Sequence, residues 1–150
     1  MKKINFTFTN KTKQKIPSGY FLSVLENFLK KMNLPAGEAG IKNPVEVNLI
    51  LVGKTRIQKL NYKYRKKNKP TDVLSFPIDI IDPTVGTRHA LSLPKNETII
   101  LGDIYICPQM VDDGELQNTF LHGLIHLIGY DHEKDEKEWD KVLKKLKSPM

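Results

Sequence analysis

The chain has almost nothing with which to fasten itself covalently. Among its 150 residues there is one cysteine, Cys107, so no disulfide can form within the chain and a closed zinc site built from thiolates is excluded. Such cysteine usage fits a reducing compartment, and the expected location is the cytoplasm. No apolar run approaches the roughly 18 residues a membrane-spanning helix needs. Met1-Lys2-Lys3 leads instead into an alternation of Ile4, Phe6 and Phe8 with Asn5, Thr7 and Thr9, which reads as a strand and not as the apolar stretch of a signal peptide. Arginine is also scarce, with Arg56, Arg65 and Arg88 set against 21 lysines. Cys107 itself ends the apolar run Ile104-Tyr105-Ile106-Cys107 and reads as a small buried hydrophobe, not as a nucleophile.

What the chain does have is positive charge. Its 24 basic residues exceed its 17 acidic ones, for a net charge of +7, and lysines facing phosphates release counterions and favour a polyanionic partner. A base-biased coding sequence rich in lysine, asparagine and isoleucine would give the same excess, so charge alone does not select nucleic acid. The few arginines carry more information, because a planar guanidinium grips a phosphate bidentately where an ammonium cannot.

A length of 150 residues with 39% apolar content suits one globular domain, residues 1–150, around one core. Ile4 to Asn10 alternates like a half-buried strand. After Pro17-Ser18, the residues Phe21, Leu22, Leu25, Phe28, Leu29 and Met32 recur at helical spacing. Asn33 to Pro44 is punctuated by proline and glycine like a loop, and Val45 to Val52 is an apolar β-branched strand ended by Gly53. Thr55 caps a short helix with Ile57, Leu60 and Tyr64 on one face and Asn61 and Arg65 on another. Val73 to Phe76 is a short strand closed by Pro77, Ile78 to Glu97 is a long loop, and Thr98 to Cys107 is a strand interrupted at Gly102-Asp103, with Pro108 opening the final helical region. The order β-α-β-α-β-β-α-α predicts an α+β fold or α/β sandwich, with a small mixed sheet of about four strands packed against helices.

Three of the four histidines fall in the run His122-Gly123-Leu124-Ile125-His126-Leu127-Ile128-Gly129-Tyr130-Asp131-His132. On the penultimate helix, His122 and His126 project from one face at a separation that one tetrahedral cation can bridge. Gly129 offers the left-handed conformation that ends a helix and lets His132 return toward the same ion. Three imidazoles leave one tetrahedral position open, the arrangement of a catalytic zinc, and one Zn²⁺ per chain is expected. Isolated His89 reads as surface. The spacing H-x-x-x-H-x-x-G-x-x-H is also that of metzincin peptidases, which place a glutamate base directly after the first histidine. Here that residue is Gly123, and the only methionine after the histidines is the terminal Met150, so their downstream turn is missing.

These residues resemble the bacterial YbeY endoribonucleases, the ribosomal RNA maturation factors. The resemblance rests on the histidine run, on Thr71-Asp72-Val73-Leu74-Ser75-Phe76-Pro77, on Leu101-Gly102-Asp103-Ile104, and on Leu60-Asn61 with Tyr64-Arg65, in that family's order. The stretch from Pro77 to Leu101 is longer than the family pattern and that from Asp103 to His122 shorter. The resemblance implies a zinc-dependent endoribonuclease acting on single-stranded RNA, in maturation of the 3′ end of small-subunit ribosomal RNA and in ribosome quality control, with ribosomal proteins and an assembly GTPase as partners. Under it, Arg65 binds the scissile phosphate, Lys66, Lys67 and Lys69 track the RNA backbone or form a solvated loop, and Asp72 and Asp131 orient a ligand histidine or Arg65, or serve as caps. The lysines from Lys141 to Lys147 suit a helix C-terminus, and Trp139 joins Val142, Leu143 and Leu146 on a packing face. The alternatives are a metallopeptidase-like hydrolase and a non-catalytic assembly factor whose zinc only holds the fold.

Overall fold

A computed structural model describes residues 4–32, 44–78, 98–131 and 133–147. The expected loops over 33–43 and 79–97, together with Arg88, His89 and His132, lie outside these residues. The described chain runs β1 (Ile4–Asn10), α1 (Gly19–Lys31), β2 (Val45–Leu51), α2 (Lys54–Arg65), β3 (Val73–Pro77), β4 (Ile99–Ile106), a 3₁₀ turn at Pro108–Met110, α3 (Leu116–Leu127) and α4 (Glu136–Lys147). None of these helices is long and apolar enough to cross a membrane.

The four strands form one mixed sheet in the order β1-β2-β4-β3. β1 and β4 both run parallel to β2, and β3 runs antiparallel to β4, which is the mixed α+β sheet that the element order predicts. Because side chains alternate across a strand, the sheet has two apolar faces. Val45, Val47, Leu49 and Leu51 of β2 and Ile99, Leu101, Ile104 and Ile106 of β4 join the core beneath α1, α3 and α4. Leu74 and Cys107 point the other way, against Val52 and against Ile57 and Leu60 of α2. An aromatic group ties α3 to the rest: Phe21 of α1 meets Phe120 of α3 edge-on at 5.4 Å, and Phe6 of β1 lies 5.9 Å from the same ring, each pair contributing about 0.5–1.5 kcal/mol beyond its buried area.

Four local expectations change. Gly53, extended at φ −84° and ψ 173°, stands at the cap of α2, and Thr55 lies inside the helix. On that helix Ile57 and Leu60 go inward as expected, but Asn61 is buried with them, donating to the Lys69 carbonyl, while Tyr64 is exposed over Phe76. Pro108 begins a 3₁₀ turn, and α3 starts only at Leu116. Gly102-Asp103 does not break β4. It marks a bulge: Glu46 pairs with Ile100 and Val47 with Gly102, so Leu101 is the extra residue.

The bulge explains the glycine. At Gly102 φ is +146°, and a Cβ there would stand 2.2 Å from the Phe76 carbonyl oxygen and 2.8 Å from a Leu127 methyl. Gly102→Ala should therefore lower the unfolding free energy by about 3 kcal/mol or more in urea titration. A loss under about 0.5 kcal/mol, the level of an ordinary surface change, would contradict this close approach of β4 to β3 and α3.

Candidate metal centre

Helix α3 turns Thr119, Phe120, Gly123, Leu124, Ile125 and Leu127 into the core. His122 and His126 occupy the face left over, half-buried, one turn apart. Their Nε2 atoms stand 3.2 Å from each other. Two imidazole nitrogens on one tetrahedral zinc, each at the usual 2.0–2.1 Å, would be separated by about 3.3 Å, so the pair has the spacing of two ligands to one cation. Both rings rest on Trp139 of α4, at centroid distances of 4.6 Å and 4.9 Å, which restricts their rotation.

How the chain leaves α3 follows from Gly129. Its φ is +100°, its N–H donates to the His126 carbonyl at 3.1 Å, and the Tyr130 N–H donates to the Ile125 carbonyl at 3.4 Å, the paired bonds of a Schellman ending. Asp131 then organises the turn into α4: its side chain accepts from the Glu133 N–H at 2.9 Å, and its carbonyl accepts from the Lys134 and Asp135 N–H groups. Asp135 accepts from the Glu138 N–H at 3.1 Å, so Asp135 and Glu138 have the D-x-x-E spacing that starts a helix. That cap is what brings Trp139 onto the histidines. The sequence places Trp139 on a packing face, and the D-x-x-E spacing ahead of it is the signal that positions it.

A cleft of about 670 Å³ opens beside the pair. Its lining brings Arg65, Asp72 and Asp131 together with His122 and His126, and adds Tyr64, Ser75 and Glu133, which were not among the expected site residues. Arg65 and Asp72 are exposed, and among the described residues no ion pair joins them. The Asp72 carboxylate accepts from the Thr71 hydroxyl at 3.3 Å and its carbonyl from the Cys107 N–H at 2.9 Å. Lys66, Lys67 and Lys69 are exposed beyond the end of α2 and do not line the cleft. Lys66 holds the left-handed conformation, φ +61°, and the loop is pinned by buried Asn61, whose Nδ2 donates to the Lys69 carbonyl at 2.9 Å. Cys107 is fully buried, and that burial pushes its thiol above the usual range against weaker opposing contributions from the Gln109 and Met110 backbone and from Lys54. It is a packing residue.

Among the described residues no three His, Cys, Asp or Glu side chains converge as a metal site. The third expected ligand, His132, is outside them. The donor set fits a divalent cation on the observation that is available, two imidazole nitrogens converging in an open cleft.

Gly123 sits between the two histidines and touches the sheet. A Cβ there would lie 3.0 Å from Ile104 Cγ2 and 3.1 Å from Ser75 Oγ, and the Ser75 hydroxyl donates to the Gly123 carbonyl at 3.1 Å. The position where a peptidase carries its glutamate base is therefore filled by the sheet.

A family model described as Endoribonuclease YbeY matches residues 7–148. The Endoribonuclease YbeY of Thermotoga maritima is 34% identical, over 83% of this chain and 77% of its own. The Endoribonuclease YbeY proteins of Francisella tularensis subsp. tularensis and of a Sulfurihydrogenibium species are each 32% identical, over 91% and 89% of this chain and 79% and 86% of theirs. A solution structure of TM1509 from Thermotoga maritima aligns over 95% of this chain and 88% of its own at 26% identity, with a TM-score of 0.47.

Placing a glutamate at position 123 should destabilise the fold instead of creating a peptidase. Gly123→Glu is expected to lose about 3 kcal/mol or more in urea unfolding, the cost of forcing an unpaired carboxylate against a packed core. A folded variant that cleaves casein would contradict the packing described at Gly123.

Proposed function

This chain belongs to the Endoribonuclease YbeY family, and from that premise we propose that it is a metal-dependent endoribonuclease that cuts single-stranded RNA. The observation that carries the reading is the convergence of the His122 and His126 Nε2 atoms, 3.2 Å apart, in a cleft that Arg65 also lines. The proposed substrate is ribosomal RNA, at the 3′ end of the small-subunit molecule. Ribosomal proteins and an assembly GTPase are the proposed partners, and the cytoplasm is the proposed location.

His122, His126 and His132 would hold the cation, one Zn²⁺ per chain. When bound, it supplies a Lewis acid toward a phosphoryl oxygen and lowers the pKa of water. The remaining work belongs to the chain. Trp139 keeps the two imidazoles facing the cleft. Arg65 has no ion-pair partner among the described residues, so its forked donors are available to a phosphodiester. It binds the non-bridging oxygens and offsets the charge that grows on them as the bond breaks. Asp131 organises the turn from α3 into α4. Lys66, Lys67 and Lys69 add a long-range attraction for the RNA backbone, screened by salt.

Gly123 supports a nuclease over a peptidase, since it puts no carboxylate directly after His122, where a metzincin carries its base. Purified protein incubated with a single-stranded fragment of small-subunit ribosomal RNA should cleave it, and chelator should abolish cleavage. His126→Ala should lower the rate by at least about a hundredfold, and Arg65→Ala by a similar factor, the scale of removing one transition-state donor. Arg65→Lys should recover only part, because an ammonium does not fork. Equal cleavage by folded His126→Ala would defeat the catalytic-metal reading. Metal-dependent folding without nuclease activity would support the assembly-factor alternative, and cleavage of casein would support the peptidase.

A further inference from the structure

Tyr64 has no role in the mechanism above, yet its setting is unusual. It lies on the last turn of α2 beside Arg65, and the two line the same wall of the cleft. Its ring sits at a helical position that repeats with Ile57 and Leu60, and the ordinary outcome there is burial. Instead the residue is 55% exposed.

The exposed ring is nonetheless held. It tilts at 63° onto Phe76, with centroids 4.9 Å apart, and Phe76 meets Tyr105 at 5.7 Å and 82°. Phe76 and Tyr105 in turn pack on the core cluster beneath α2. A row of three aromatics thus backs the Tyr64 ring from the sheet outward, so a ligand that lands on it immobilises little that is not already ordered. The Lys63 ammonium stands 5.2 Å from the ring centroid. On an exposed, flexible stem this cation–π contact is weak and can yield its place or turn to a phosphate.

The floor of the cleft is β3, the outer strand of the sheet among the described residues. All five of its residues line the cleft. The Cys107 N–H bonds the Asp72 carbonyl, and the Ile78 N–H bonds the Leu101 carbonyl. With the register of β3 on β4, these bonds fix the alternation of an antiparallel ladder, in which residues facing the partner strand alternate with residues facing away. Leu74 and Phe76 bond toward β4, and the N–H and C=O groups of Val73 and Ser75 point away from it. Pro77 has no N–H to offer and ends the row.

We propose that Tyr64 is a base-stacking platform for single-stranded RNA. The nucleotide next to the phosphate gripped by Arg65 lays its base on the exposed Tyr64 ring, while its sugar-phosphate chain runs along β3 in the cleft floor. This inference rests on the endoribonuclease reading and names the contact through which that reading selects unpaired RNA. Bases in a duplex are already stacked on each other, whereas an unpaired base can be splayed onto an aromatic ring, and every base has a π-face to offer. The platform therefore favours single strands with little sequence preference.

The test uses the metal-loaded protein with a single-stranded RNA oligonucleotide and a set of the same oligonucleotide carrying one abasic nucleotide at successive positions. Binding is read by fluorescence anisotropy and cleavage as kcat and KM, for wild type, Tyr64→Phe, Tyr64→Leu and Tyr64→Ala. Tyr64→Phe should bind within about twofold of wild type, and the Leu and Ala variants roughly five- to a hundredfold more weakly, the range that loss of a base–aromatic contact covers, with KM rising more than kcat falls. One abasic position should cost wild type a similar factor and cost Tyr64→Ala almost nothing. An unchanged affinity in folded Tyr64→Ala, or abasic losses equal in wild type and variant at every position, would overturn the platform while leaving the nuclease intact. Wild-type protein that neither binds nor cuts the oligonucleotide would overturn both.

Discussion

The approach of α3 to the sheet at Gly123 is the constraint on which the site depends. With no side chain at that position, the helix backbone comes down onto Ile104 until the Ser75 hydroxyl reaches the Gly123 carbonyl at 3.1 Å. That contact fixes the helix both in height and in rotation about its axis. Height matters because His122 and His126 must stand over β3 and not above a gap. Rotation matters because the two residues flanking the glycine's turn then face sideways, past the edge strand, instead of into the core. A second close approach, Gly102 against the Phe76 carbonyl and Leu127, holds the same three elements together one layer along. Two glycines thus serve one end, bringing helix and sheet close enough that their shared rim is a defined place.

The residues proposed for catalysis all hang on that rim. α4 enters through the turn organised by Asp131 and Asp135, and lays Trp139 across both imidazoles. α2 ends on the opposite side of the edge strand, delivering Tyr64 and Arg65 to the other wall. The cleft so formed has a wall with two imidazoles, a cationic and aromatic wall, and β3 for a floor. The proposed substrate, a phosphodiester flanked by unpaired bases, matches each of these surfaces.

Much of this was legible beforehand, and for physical reasons. The strands and helices could be placed from apolar periodicity because the sheet is half covered on one face and more fully on the other, so the alternation along β1 and β2 is strong. The histidine pair was legible because helical spacing is rigid over one turn. Gly129 was legible as a helix end because few other residues tolerate φ of +100°. What escaped were features decided by tertiary contact. Gly102 looked like an interruption of β4, since a bulge is defined by the register of two strands and only one of them is read at a time. Asn61 read as sharing a face with Arg65, and Tyr64 as sharing one with Ile57 and Leu60, because helical spacing gives relative but not absolute orientation. Trp139 was recognised as packing but not as packing on the histidines, a contact that spans two helices.

The central claim is that His122 and His126 converge on a single divalent cation at the edge of the sheet. Titrating the protein with cobalt(II) and following the fluorescence of its sole tryptophan, Trp139, tests this directly, since that ring lies within 5 Å of both imidazole centroids. The account predicts saturation at one equivalent per chain with quenching of Trp139, and loss of both effects in the His122→Ala, His126→Ala double variant when its circular dichroism is unchanged. Binding and quenching that persist in the folded double variant would contradict it.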